Sequence, residues 1–442
     1  MNVPRMGQLA RLATLALALG TANPVGAQAP ATSPAGLPSA LDSLLAGTVM
    51  SPEQLERAVL ERNPTLAAAS AAVREASARA DRAGALLNPE VDVLVAPGAV
   101  GDDEIMAPGY MIDVHQSFPI FGERGLEGRV SRAEARAVGA DLRATRLDLL
   151  QEARRLYYRY YLAERGLEVN AELKALLDQF RSVALQKYAA GIVGREDALQ
   201  AEMELAMLDH QTVVTRRERR IVRARLNAML HRAPQESLPA PLDSVAVAHE
   251  GHDVADTAAL VLDRPDVKRL DAERESREAM VSLAKRRRLP ELTLLARYDG
   301  MEDLKEMRPM VGAGINLPLW RDPTSAGVSE ASAGLERASQ ERLAAIDRAR
   351  YEIEEARARV EETRHEIHIV ETGVIPATER ALTSIRSGYE ANRTDFLALL
   401  NAERDLARSR LDRHRARAEY RMALADLERA LGREAAAAEV PR

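Results

Sequence analysis

Three groups of side chains in this sequence have the donor types that metals take. His249 and His252, one helical turn apart with Glu250 and Asp253 beside them, offer the imidazoles that suit zinc or copper. They fall in the Pro-rich, non-periodic stretch 233–256, so a surface loop is the expectation. His365 and His368 share one face of a long helical pattern with no third ligand in sequence reach, which reads as helix surface. Met301, Met307 and Met310 stand among Glu302, Asp303 and Glu306. Their thioethers favour Cu(I), while the acids around them read more plainly as an aqueous loop. None of the three is assigned as a metal site. Asp197 and Asp395 are better candidates for function, because each adjoins a turn between long helices. Repeated around an oligomer, such acids favour cations and repel anions; each also suits a helix N-terminus. No nucleophile–base pair, Gly-rich phosphate loop or HExxH motif stands out, so neither an enzyme nor a cofactor is expected.

The elements that would carry these residues follow from composition and period. The chain has 442 residues, of which 46% are hydrophobic but only 3% aromatic. Its apolar content is Ala, Leu and Val, which suits long helices packed along narrow seams. With no Cys there is no disulfide scaffold, thiol nucleophile or lipidated Cys anchor. A net charge of −6 gives no sign of a nucleic-acid partner. Residues 1–27 read as a secretory signal: Arg5 and Arg11 precede an apolar run, and small residues lead to Ala27. Residues 28–48 are Pro/Ala/Ser-rich and are expected to be disordered, and 434–442 is read as a C-terminal tail.

The remainder is one plan written twice, at 49–232 and 257–433, around the linker 233–256. Asn63-Pro64 recurs as Arg264-Pro265, Asn88-Pro89-Glu90-Val91 as Leu289-Pro290-Glu291-Leu292, and Tyr188 as Tyr389, all 201 residues later. Each half opens with a helix; Ser51, Pro52 and Gln54 form a capping-box start for one running to Ala85. Two short strands follow, at about 90–97 and 109–118, then about 291–298 and 309–317, with period-two patterning. Each half closes in very long helices. Leu126, Val130, Ala133, Ala137, Ala140, Ala144 and Leu147 step by four and three, and Val169, Leu173, Leu176, Phe180 and Val183 resume the step. Ile346, Ala349, Ile353, Ala356, Val360, Thr363, Ile367 and Val370 do the same in the second half. A helix from Glu123 to Tyr188 is roughly 100 Å long at 1.5 Å per residue.

The strands point to a membrane. Gly109 to Phe118 has the length of a tilted membrane strand. If the first strand of each half runs outward, Tyr110 and Tyr298 lie at the outer level, and Phe118, Phe121 and Trp320 at the inner one, as interfacial girdles do. Four strands cannot close around a channel, and lipid does not tolerate an open sheet edge. Other copies of the chain must complete the barrel.

The stretch Ile375-Pro376 followed by Tyr389-x-Ala391-Asn392-x-x-Asp395-Phe396-Leu397-x-Leu399-Leu400-x-Ala402-Glu403, with its first-half counterpart Tyr188 to Asp197, resembles the helix-turn motif of the TolC family of outer-membrane efflux proteins. Gln116 to Gly125 is similar to the cation-efflux branch, the CzcC- and CusC-like proteins. The family usually has Gly where Asn392 stands; Asn tolerates the same left-handed turn. The resemblance implies a mainly α fold with a small β part. It implies a homotrimer with a 12-stranded outer-membrane barrel continuous with a periplasmic coiled-coil tunnel, docked to a periplasmic adaptor and an inner-membrane pump of RND type. Gly191, Val193, Gly194, Asp197, Asn392, Arg393, Thr394 and Asp395 would form the periplasmic tip, gate and adaptor contact. The cargo stays open between metal cations, drugs and protein of type I export. A secreted or periplasmic coiled-coil structural protein is the competing reading.

Overall fold

The computed structural model describes residues 39–86, 88–96, 109–119, 121–242, 257–300, 308–318, 321–391 and 393–433. The signal segment, His249 and His252, Met301 and Met307, Trp320, Asn392 and the tail lie outside them. In chain order the elements are α1 (Ala40–Ala46), β1 (Val49–Met50), α2 (Pro52–Arg62), α3 (Pro64–Ala83), β2 (Glu90–Ala96), β3 (Gly109–Phe118), α4 (Glu123–Ala189) and α5 (Glu196–Met229). Then come β4 (Ala240–Pro241), α6 (Thr257–Asp263), α7 (Pro265–Arg286), β5 (Glu291–Asp299), β6 (Pro309–Asn316), α8 (Arg321–Ile369), a π-turn (Val370–Val374), α9 (Ile375–Glu390) and α10 (Phe396–Leu431).

Local chemistry accounts for the boundaries. The Ser51 hydroxyl accepts from the Gln54 N–H at 3.2 Å while the Gln54 side chain accepts from the Ser51 N–H at 2.9 Å, completing the capping box. The helix expected to run to Ala85 is two helices. Pro64 forces Asn63 out of helical geometry, to φ −70° and ψ 121°, so α2 ends there and α3 begins. The segment 28–48, expected to be disordered, is folded where it is described. Ser39 and Asp42 form a capping box for α1, and Leu44 is fully buried in the first core. The linker contributes β4, which pairs in parallel with β1. Tyr157 ties both down: its hydroxyl donates to the Met50 carbonyl and accepts from the Leu242 N–H, each at 3.0 Å.

The seams are the cores. All eight apolar-step positions from Ile346 to Val370 are buried. In α4 the seam holds from Leu126 to Leu147, with Ala144 half-buried, and then drifts. Leu177 and Ala184 are buried, Leu176 is half-buried and Val183 is exposed. A helix of 3.6 residues per turn moves ahead of a 3.5-residue repeat, so the expected register slips by one over that distance. The 67-residue α4 is unbroken. Its counterpart is not: Pro376 lacks an N–H and its ring would strike the carbonyl four residues back. The chain inserts a π-turn there, with the Ile375 N–H donating to the Val370 carbonyl. Arg417 of α10 holds Glu371 within that turn, Nη2 to Oε1 at 2.6 Å.

The two halves are sealed by equivalent clamps of different chemistry. Asn63 Nδ2 donates to the Met229 carbonyl at 3.0 Å, and Arg264 Nη1 donates to the Ala430 carbonyl at 2.9 Å. Both donors precede the proline that starts a helix, and both acceptors lie in the last turn of the closing helix, where carbonyls have no helical partner. Arg264 is almost fully buried and also pairs with Asp266 and Glu352 at 2.8 and 2.6 Å. Between the halves, α4 and α10 are joined by Gln151 with Asp426 at 2.7 Å and by Arg154 with Glu428. Replacing Arg264 by Ala strands the Ala430 carbonyl and two carboxylates, and is expected to cost about 1–3 kcal/mol. Asn63→Ala, which removes a neutral bond, costs less. Denaturant midpoints of the two variants check the order; equal losses would contradict it.

Candidate functional site

The site is built at both ends of the long helices. At one end, β2, β3, β5 and β6 form a single antiparallel sheet in that order. Its register sets Val93 opposite Ile112, Ile112 opposite Tyr298 and Tyr298 opposite Pro309, so these side chains share one face. That face also carries Val91, Val95, Val114, Phe118, Leu292, Leu294, Val311 and Ile315, with Gln116 as its polar exception. Val93, Val95, Val311 and Ile315 are each at least 63% exposed, far more bare apolar surface than an aqueous face supports. The opposite face carries Glu90, Asp92, Asp113, His115, Ser117, Glu291, Thr293, Arg297 and Asn316, with Leu94, Met111, Leu295 and Met310 among them. Asp113 and Arg297, directly paired across the strands that join the halves, form a bidentate ion pair at 2.6 and 2.9 Å.

A sheet with one lipid-compatible face, one charged face and two unpaired edges is a segment of a transmembrane barrel. No helix among the described residues is long and apolar enough to cross a membrane. Tyr110 and Tyr298 stack at one level, ring centroids 5.8 Å apart. Phe118 is half-buried and Phe121 exposed at the other end.

At the far end, α4 turns into α5 and α9 into α10. Gly191 takes a left-handed φ of +71°, open to Gly without strain. The Ile192 N–H donates to the Lys187 carbonyl at 2.9 Å, and the equivalent bond runs from Arg393 to Gly388 at 2.7 Å. Val193, Gly194 and Thr394 are half-buried, and Arg393 is exposed. Asp395 is the N-cap of α10, accepting from the Ala398 N–H at 2.8 Å. Asp197 is no cap: it sits in the first turn of α5. The fold thus sets one acid at the start of each returning helix. Burial holds the Asp197 carboxyl above its ordinary value, and the charges of Glu196 and Asp395 add to the rise, while Lys187 opposes it.

Several residues at this end carry contacts that spacing alone does not show. The Lys187 ammonium lies 4.1 Å from the centre of the Tyr389 ring. Phe396 packs edge-on against Phe180 and joins Leu177, Ala201, Leu205 and Leu400 in one cluster. Arg404 reaches Glu204 at 2.8 Å. The pairing of Asp113 with Arg297 follows from the strand register and not from alternation alone. His365 and His368 are both exposed on α8. Among the described residues, no three His, Asp or Glu side chains gather around a common point.

Long helices ending in a partial barrel define an outer-membrane channel protomer. The chain belongs to the outer membrane efflux protein family, whose sequence profile matches residues 55–231 and again 259–433, one match per repeat. It is therefore a transport protein and not an enzyme, sited in the outer membrane with a periplasmic helical extension. The barrel of this family is formed in the trimer. Among solved structures, CusC matches with TM-score 0.75 at 16% identity, over 92% of this chain and 97% of that one. The outer membrane protein VceC of Vibrio cholerae matches with TM-score 0.73 at 17% identity, over 86% and 96%. The open state of the MtrE channel of Neisseria gonorrhoeae matches with TM-score 0.73 at 19% identity, over 86% and 89%. No curated protein sequence matches the chain.

The raised Asp197 carboxyl has a pH consequence. A carboxyl raised in the folded tip adds stability when protonated, and that contribution is lost as pH rises through the raised value. Hydrogen exchange across 191–199, corrected for intrinsic rates, is expected to show less protection as pH rises just above the ordinary carboxylate range. Asp197→Asn should flatten that dependence; a variant that keeps it would remove the role.

Proposed function

We infer that this channel is the exit duct for metal cations in a tripartite pump. It works as a homotrimer docked to a periplasmic adaptor and an inner-membrane pump of RND type. The observation that supports the reading is the placement of Asp395 as the N-cap of α10 and of Asp197 in the first turn of α5, one acid at each helical turn. Three copies place six carboxylates around one aperture, a field that concentrates cations and excludes anions. The similarity of Gln116–Gly125 to the cation-efflux branch supports the cargo. Gly191, Val193, Gly194, Arg393 and Thr394 sit beside these acids and Asn392 lies between, so the adaptor contact and the gate share this end. Tyr110, Tyr298, Phe118, Phe121 and Trp320 serve as the two interfacial girdles.

The duct performs no chemistry. Its tip interconverts between narrow and wide forms, and an adaptor that binds the wide form better shifts the population toward it. Energy comes from the pump.

Asp395→Asn is the informative change, because Asn caps a helix as well as Asp does. The variant is expected to keep its fold and to lose cation selectivity, read as a reversal potential nearer zero in a salt gradient across a bilayer. Unchanged selectivity would remove the tip from the filter. For the cargo, deletion of the gene is expected to sensitise the host to zinc, cobalt or copper salts and not to dyes or detergents. The opposite pattern would overturn the metal reading.

A further inference from the structure

One group of side chains on the charged face of the sheet has no part in the tip. His115 Nε2 lies 3.8 Å from Asp92 Oδ2, with both side chains a third or more exposed. The strand register places Glu90 directly opposite His115, and Asp113 opposite Asp92. Both oxygens of Asp113 are taken by Arg297. No Lys or Arg among the described residues forms an ion pair with Asp92 or Glu90. The pair therefore presents an imidazole nitrogen and a carboxylate oxygen to the barrel interior, with a second carboxylate alongside.

We propose that His115 and Asp92 form a binding site for a first-row divalent cation inside the barrel lumen, repeated once per protomer. An imidazole and a carboxylate together are the borderline donor set that Zn²⁺ and Cu²⁺ take and Mg²⁺ does not. Metal–ligand bonds of about 2.1 Å span a 3.8 Å gap when the angle at the metal is about 130°. Closing the gap by about 0.4 Å gives a tetrahedral angle. Two protein ligands leave the remaining positions to water. Such a site is weak, and weakness is what a conducting lumen requires: an ion must enter and also leave. The cation thus meets two stations, acids alone at the tip and a nitrogen–oxygen pair in the barrel.

The inference rests on the barrel and its register, not on the cargo assigned above, and its test leaves the cargo aside. Potassium current through purified trimers in a planar bilayer is measured while Zn²⁺ is added from the side of the barrel loops. Zn²⁺ is expected to reduce the wild-type current and Mg²⁺ at the same concentration to leave it. Loss of a direct ligand should cost at least what loss of an outer-shell partner costs, so H115Q and D92N should each raise the half-blocking concentration at least about tenfold. H365Q, which removes an exposed imidazole of α8, should leave it unchanged. The Zn²⁺-free conductance of each variant reports that its barrel is assembled; either variant alone suffices. Isothermal titration of Zn²⁺ into the detergent-solubilised trimer should rank the proteins in the same order. Absence of wild-type block, equal block in H115Q, or Mg²⁺ acting as well as Zn²⁺ would each overturn the site.

Discussion

Everything in this molecule answers to one constraint: a four-stranded sheet whose one face is apolar and bare, and whose two edges have no partner among the described residues. In lipid each unpaired backbone N–H and C=O costs several kcal/mol, so the edges must be joined, β6 of one copy to β2 of the next. Joining them turns the apolar face outward and the charged face inward without further instruction. The bidentate Asp113–Arg297 pair then sits in the aqueous interior at the seam between the two repeats, where it fixes β3 against β5. Trimer, barrel and lumen chemistry are thus one consequence and not three.

The helices solve the complementary problem of supporting that sheet on narrow rods. Ala at seam positions such as Ala133, Ala140 and Ala349 lets helices approach closely with little side chain to order. The aromatic residues are concentrated where rods must be fastened. Tyr157, Tyr158, Tyr160 and Tyr161 occupy little more than one turn of α4 and are all buried in the first core. Phe396 and Tyr389 do the same work near the tips. The two repeats keep one geometry with different side chains, as in the Asn63 and Arg264 clamps, yet they diverge at Pro376. There the second half has a π-turn pinned by Arg417, while the first half has Lys174–Ala175 within an unbroken helix. The two hairpins are therefore not mechanically equivalent, although one duplication produced both.

Much of this was legible in the sequence because period is a physical signal. A constant offset of 201 residues, alternation in the strands and steps of three and four in the helices each survive without tertiary context. What failed did so for identifiable reasons. The helical period runs through Pro64 without a break, yet the proline restricts Asn63 before it and divides α2 from α3. Ser39 and Asp42, a capping box, were passed over within a Pro- and Ala-rich stretch whose composition suggested disorder. The seam in α4 resumes in sequence at Val169, Leu173 and Leu176, whereas the folded helix buries Leu177 and leaves Leu176 half-buried. The pairing of His115 with Asp92 depends on register, which period alone does not provide. Tyr157 to Tyr161 could have been found: four of the ten Tyr in five consecutive residues is a local excess that marks a packed site.

The central claim is that the sheet closes only between copies. Native mass spectrometry of the protein extracted from outer membranes in mild detergent tests it most directly. The account predicts a complex of three chains that resists dissociation until the barrel is heated. A stable, folded single chain, with its sheet edges protected from hydrogen exchange, would contradict it.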